Sequence, residues 1–76
     1  MAAGMKVRQV GQTTAYPRRG SDEVKLTLVR RRRTTCTVET QVLQEGQVAG
    51  VSRAYSASIS TASSLWATGA FGLTMP

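Results

Sequence analysis

The chain has 76 residues, of which 41% are apolar, ten are Lys or Arg, four are Asp or Glu and none is His. This length allows one small domain and excludes a two-domain enzyme. The formal net charge of +6 and the pI near 10.8 favour an anionic partner.

The residues that most catalytic and metal sites need are missing. Without His the chain lacks the usual general base and the Ser/His and Cys/His nucleophile pairs. Cys36 is the single cysteine, so an internal disulfide is excluded and the usual zinc ligand sets cannot form. We therefore expect a non-enzymatic protein with no cofactor, no metal and no small-molecule substrate. A single cysteine also favours an intracellular location, or one within a virus particle, over secretion.

The first stretch, residues 1–21, is predicted to be a basic N-terminal arm. It is rich in turn-forming residues and has no acidic residue before Asp22. Its cations are Lys6, Arg8, Arg18 and Arg19.

Residues 22–55 are predicted to form an antiparallel β-meander, which makes the fold class mainly β. Val24, Leu26 and Leu28 alternate with polar residues, and the same even-numbered alternation returns from Cys36 to Val42. We predict the register in which paired residue numbers add up to 64, because it places Lys25 opposite Glu39. A register in which paired residue numbers add up to 66 buries the same face, but it does not place Lys25 opposite Glu39. The predicted loop spans residues 30–34.

A second hairpin is predicted around a two-residue turn at Glu45 and Gly46. It pairs Val42 with Ala49 and Thr40 with Val51. The same register places Arg53 on the apolar face opposite Val38. We therefore expect either that the third strand ends near Ser52 or that a glycine bulge shifts the register by one residue.

The uncharged stretch, residues 56–76, fits two structures. One interpretation continues the strand through Tyr55, Ala57 and Ile59. The other is a helix with Ser52 as N-cap, because the following residues fall near helical spacing: Tyr55, Ile59, Ala62, Trp66 and Leu73. The many Ser, Thr and Gly residues favour a cover strand or an extended assembly segment, and they argue against a membrane span. The alternative is an α+β fold with a C-terminal helix.

Four consecutive arginines, Arg30, Arg31, Arg32 and Arg33, form the most conspicuous motif. At a hairpin tip their planar guanidiniums would suit the phosphates of a nucleic acid backbone or an acidic protein patch. Arg18 and Arg19, with Lys6 and Arg8, extend this site if the arm folds toward the same side.

Large apolar side chains are scarce, and a domain with a thin core usually enlists a partner. We therefore expect a homo- or hetero-oligomer, with Trp66 and Phe71 as interface anchors or, in the simpler interpretation, as core residues. The favoured function is a structural subunit of a virus particle or ribonucleoprotein. The alternatives are a free-standing nucleic-acid-binding regulator and an adaptor or inhibitor that binds an acidic protein surface.

Overall fold

The structure, a computed structural model, describes residues 6–18, 20 and 22–73. These residues form four strands, β1 (Thr13–Pro17), β2 (Asp22–Arg31), β3 (Thr35–Gln44) and β4 (Gln47–Ser58), followed by helices α1 (Ile59–Thr68) and α2 (Ala70–Leu73). The strands lie in one antiparallel sheet in the order β1-β2-β3-β4. The mainly β meander is confirmed, and its first edge strand comes from the stretch expected as the basic arm.

The strands alternate between a covered and an open face, as period-two patterning requires. Val24, Leu26 and Leu28 are buried in β2, and the even-numbered residues from Cys36 to Thr40 are buried in β3. The residues between them point to the other face and are half-buried or exposed. The buried face is therefore the one that the sequence pattern predicts.

The predicted register between β2 and β3 is wrong. Val24 pairs with Val42 and Lys25 pairs with Gln41, so paired numbers add up to 66 instead of 64. Both registers bury the same face, and the Lys25–Glu39 pair that favoured 64 would lie on the open face, where an ion pair contributes little. The observed register instead gives Leu43 and Gln44 partners on β2, which extends the ladder to the end of β3.

The loop between β2 and β3 is shorter than predicted. A β-bulge between Leu28 and Arg30 shifts the register, so that Arg30 pairs with Thr37 and Arg31 with Cys36. The connection is therefore residues 32–34 and not 30–34, and Cys36 does not face Leu28. The extra residue changes the alternation beyond Leu28, but the run of arginines that follows contains no apolar residue whose position could reveal the change.

The second hairpin agrees with its prediction near the turn and departs from it further along. Val42 pairs with Ala49, and Glu45 and Gly46 form the turn with positive φ angles of 53° and 80°. Beyond Val42 a bulge in β4 shifts the register by two residues, so Thr40 pairs with Arg53 and not with Val51. The expected one-residue shift is wrong, and so is the expected end near Ser52, because β4 continues to Ser58.

Residues 59–68 and 70–73 of the C-terminal stretch are helical, which makes the favoured cover strand wrong there and the α+β alternative correct. The N-cap of α1 is Ser58, not Ser52. Its side-chain oxygen accepts from the backbone N–H of Thr61 at 3.1 Å. The helix ends at Gly69, whose φ of 72° forms a left-handed C-cap. The strand and helix interpretations were each right for part of the chain, with Ser58 as the boundary.

Helix α1 covers the sheet with Ala62 and Trp66, which lie one turn apart and are both buried. Trp66 is 0% exposed and Phe71 is 3% exposed. We call the buried apolar residues of the strands, of the helices and of the segment before β1 the core layer. Its nine members among the described residues are Val7, Val24, Leu26, Leu28, Cys36, Val38, Ala62, Trp66 and Phe71.

Polar contacts fix the helix layer to the sheet. The hydroxyl of Tyr16 in β1 donates to the backbone oxygen of Trp66. The backbone N–H of Val7 donates to Oγ of Ser63 at 3.4 Å. The chain thus closes its core with its own residues, so a thin core does not by itself require a partner. Neither helix in the described part of the chain has the length and apolar character needed to span a bilayer.

Candidate nucleic-acid interface

The arginine run occupies one end of the sheet. Arg30 and Arg31 lie at the end of β2, Arg32 and Arg33 lie in the turn that follows, and all four are exposed. The turn is closed by the backbone N–H of Arg32, which donates to the oxygen of Thr35 at 2.7 Å. The prediction of a hairpin tip therefore holds for two arginines, and the other two extend along the strand.

The start of α1 holds this turn in place. The backbone N–H of Ile59 donates to the oxygen of Thr34 at 2.8 Å, and Ser58 pairs with Thr35 across the sheet. The arginines are thus carried by backbone that pairs with β3 and is joined through Thr34 to the start of α1. A fixed backbone limits the positions that the guanidiniums can take.

Lys6 and Arg8 come to the same end through the side chain of Gln12. Oε1 of Gln12 accepts from the backbone N–H of Arg8 at 2.8 Å, and Nε2 donates to the oxygen of Lys6 at 2.6 Å. The backbone oxygen of Gln12 accepts from the N–H of Leu28 at 2.9 Å, next to the bulge that precedes Arg30. The condition that the first stretch folds toward the arginines is therefore met for Lys6 and Arg8.

Arg18 lies at the opposite end of the sheet. Its backbone N–H donates to the oxygen of Asp22 at 2.8 Å, where β2 begins. The ten residues of β2 span about 30 Å at roughly 3.3 Å per residue, so Arg18 cannot share a phosphate with the arginine run. Arg19 lies outside the described residues.

We call the cations at the arginine end of the sheet the cationic end. It comprises six exposed side chains, those of Lys6, Arg8, Arg30, Arg31, Arg32 and Arg33.

The cationic end has no internal counter-charge. Among the described residues none of its six side chains forms an ion pair. Asp22 and Glu23 lie at the start of β2 and Glu45 lies in the β3–β4 turn, all at the other end of the sheet. Glu39 lies in the sheet between Thr27 and Ala54. Six like charges therefore repel one another, and no carboxylate of the described residues is paired with them.

Trp66 and Phe71, the predicted interface anchors, lie in the core layer. With 0% and 3% of their surfaces exposed, they offer no ring to a partner in this conformation. Their packing supports the simpler interpretation as core residues. The sequence did not distinguish the two roles, because both require a large apolar side chain.

Cys36 is also a core residue and not a reactive thiol. Burial raises the pKa of its thiol above the ordinary value of 9.0, and the nearby charge of Arg31 only partly opposes this. The neutral thiol therefore prevails at physiological pH. Within the described residues no three His, Cys, Asp or Glu side chains gather where they could hold a metal ion.

Gln12 is the residue that sequence analysis missed. It brings Lys6 and Arg8 to the cationic end, yet nothing in its sequence context distinguishes it from the other glutamines. No family model, curated protein or solved structure matches the chain. The geometry of the cationic end is therefore the basis of the functional argument.

Proposed function

We propose that this protein is a non-enzymatic, nucleic-acid-binding subunit of a larger nucleoprotein assembly, a ribonucleoprotein or a virus particle. The observation that carries the proposal is the cationic end, where six exposed cations lie at one end of the sheet and none forms an ion pair with a described residue. Such an arrangement costs repulsion within the folded chain, and phosphates supplied by another molecule would remove that cost.

Arginine supports a phosphate partner in particular. A guanidinium offers a planar fork of N–H donors that matches two phosphate oxygens, and it stays charged at any physiological pH. Phosphate contacts position a protein on the backbone and carry no sequence information. The proposed binding is therefore sequence-independent and dependent on salt.

An assembly role is supported by the size of the chain and by its sheet edges. A chain of 76 residues whose large apolar side chains lie mostly in the core layer offers the cationic end and the sheet edges as contact surfaces in its described part. In the described structure β1 and β4 each have only one neighbouring strand. Their free backbone groups are the kind of edge to which another subunit can add a strand.

Two variants with the same net charge test the phosphate contact. The tip variant replaces Arg30, Arg31, Arg32 and Arg33 with Gln. The control variant replaces four cations elsewhere with Gln, namely Arg18, Arg19, Lys25 and Arg53. Each lowers the formal net charge from +6 to +2, so a difference between them reports position and not total charge.

Binding to a labelled nucleic acid is measured over a range of salt concentrations. With six phosphate contacts at roughly 0.9 each, the logarithmic salt slope on a duplex should be about −5. The tip variant retains two contacts, so its slope should fall to about −2 and its affinity at 0.1 M salt by about 10³-fold. The control variant should keep the steep slope. Equal losses in the two variants would overturn the proposal.

An acidic protein surface remains the second outcome of this test. Polyglutamate carries carboxylates at high density without phosphates, so it separates the two partners. If the protein binds polyglutamate as tightly as nucleic acid at the same salt concentration, the adaptor function replaces the nucleic-acid function.

A further inference from the structure

We infer that the cationic end recognises double-stranded nucleic acid in preference to single strands. This inference rests on the proposed function and specifies its ligand as the paired phosphate backbones of a duplex. Three observations support it: the position of the aromatic rings, the density of the cations and the fixed backbone that carries them.

None of the four aromatic residues is exposed: two are buried and two are half-buried against the core layer. All four lie among the described residues. Trp66 and Phe71 are buried, the hydroxyl of Tyr16 is bonded to the backbone of Trp66, and the ring of Tyr55 lies 5.8 Å from that of Phe71. Proteins that bind single strands without sequence preference obtain much of their affinity from bases stacked on aromatic rings. In a duplex the bases are already stacked on one another, so this protein loses nothing there.

The density of cations matches a duplex better than a single strand. Arg30 and Arg31 end β2, and Arg32 and Arg33 lie in the turn that joins it to β3, so the run is confined to one end of the sheet. The two strand spacings from β1 to β3 make about 10 Å. A duplex carries one negative charge per ~1.7 Å of its axis, and one of its strands carries one per ~3.4 Å. Over about 10 Å a duplex therefore presents roughly six phosphates and one strand roughly three. The six cations therefore have more phosphates near them on a duplex than on a single strand.

The backbone that carries the arginines is already fixed before binding. Arg30 and Arg31 are paired with Thr37 and Cys36, and the turn is bonded to the start of α1. A fixed array suits a stiff ligand whose phosphates already have regular positions. A flexible single strand would have to be ordered on the surface, and that ordering weakens binding.

The experiment compares ligands of equal length on the full chain. Competition binding at 0.1 M salt uses a 20-base-pair DNA duplex, a 20-base-pair RNA duplex, and unstructured 20-nucleotide thymidine and uridine strands. We expect at least one duplex to bind tenfold or more tightly than both single strands. Comparison of the DNA duplex with the RNA duplex identifies which helical form the cationic end fits. Equal or tighter binding of the single strands overturns the inference.

The failure of this inference differs visibly from failure of the proposed function. If no nucleic acid binds with a steep salt dependence, the proposed function itself fails. If all four ligands bind with steep slopes but without a duplex preference, only the inference fails. The tip variant, checked for folding by circular dichroism, should lose the duplex preference, whereas the control variant should keep it.

A variant of Tyr55 tests the stacking argument separately, because its ring is half-buried and the least enclosed candidate for a base contact. Tyr55→Leu should leave single-strand affinity unchanged within about twofold. A tenfold loss of single-strand binding with unchanged duplex binding would show that the ring stacks on bases and would overturn this part of the inference.

Discussion

The core layer and the cationic end differ in whether their side chains find partners within the chain. In the core layer the apolar residues of the sheet and of α1 cover one another, and polar groups of Tyr16 and Ser63 bond to the backbone around them. At the cationic end the backbone is bonded within the chain, but none of the six charged groups forms an ion pair with a described residue.

This difference separates the residues that fold the chain from those that we propose to bind. Substitutions in the core layer should reduce stability. Substitutions of the arginines should leave the fold intact and change only what the protein binds. Each prediction below tests one side of that separation.

Trp66 should give the largest effect on stability. Trp66→Ala removes a fully buried ring and should lower the free energy of unfolding by about 3–5 kcal/mol. Urea unfolding followed by circular dichroism measures this loss. Trp66→Phe is the matched control and should cost less, because Nε1 of Trp66 is buried without a hydrogen-bond partner among the described residues and Phe removes that group. An alanine variant as stable as the original chain would show that the core layer does not hold the fold.

Gly69 should give the next largest effect. Its φ of 72° is strained for other residues, and an added Cβ would lie 2.9 Å from the ring atoms Cγ and Cδ1 of Tyr16. Gly69→Ala should therefore cost about 2 kcal/mol or more, which combines backbone strain with displacement of the ring.

Gly46 provides the control for this position. Its φ is 80°, but an added Cβ meets nothing within 4 Å, so Gly46→Ala incurs only the backbone strain of roughly 1 kcal/mol. Both variants are compared by urea unfolding. Equal losses would show that contact with Tyr16 does not matter at Gly69.

The tip variant tests whether the arginines of the cationic end contribute to the stability of the fold. Because its four arginines have no ion-pair partner among the described residues, their replacement should leave the melting temperature unchanged or raise it, most clearly at low salt where repulsion is screened least. Melting curves at 10 mM and 300 mM salt measure this. If the tip variant melts far below the control variant, the arginines stabilise the fold and the separation of the two regions is lost.

Cys36 should give the smallest effect, confined to alkaline pH. Burial raises the thiol pKa in the folded chain above its ordinary 9.0, so the folded state holds the proton more tightly than the unfolded state does. The resulting stability is complete below about pH 9 and is lost as the pH rises through the folded pKa. Burial also raises the pKa of Tyr16, which acts in the same direction at higher pH.

Melting temperatures measured from pH 7 to pH 10.5 test whether stability falls as the pH rises. The original chain should lose stability above about pH 9 more steeply than Cys36→Ala, which lacks the thiol. Parallel curves for the two chains would contradict the argument that Cys36 is held neutral in the core layer.

Sequence patterning predicted the fold where burial alone decides the structure. The alternation from Val24 to Leu28 gave the correct strand and the correct buried face, and Glu45 and Gly46 gave the correct turn. The register between β2 and β3 was beyond this reasoning, because the two candidates bury identical faces. The helix was predicted only as the alternative, since Tyr55 and Ile59 fit both periods and only the cap at Ser58 separates them.

The candidate site was predictable only in part. Four adjacent arginines are visible in any inspection of the sequence, and their exposure follows from their charge. Which other cations join them depends on tertiary structure. Arg18 lies at the far end because β1 and β2 run antiparallel, whereas Arg8 lies near the arginines because Gln12 bonds to its backbone.

The single tryptophan has a practical consequence. Because Trp66 is fully enclosed beneath the sheet, its fluorescence should be blue-shifted in the folded chain and should move to longer wavelength when the chain unfolds. Ligands bound at the exposed arginines should leave the emission maximum unchanged. The protein therefore carries an intrinsic optical probe that distinguishes occupancy from denaturation in one cuvette, without any attached dye.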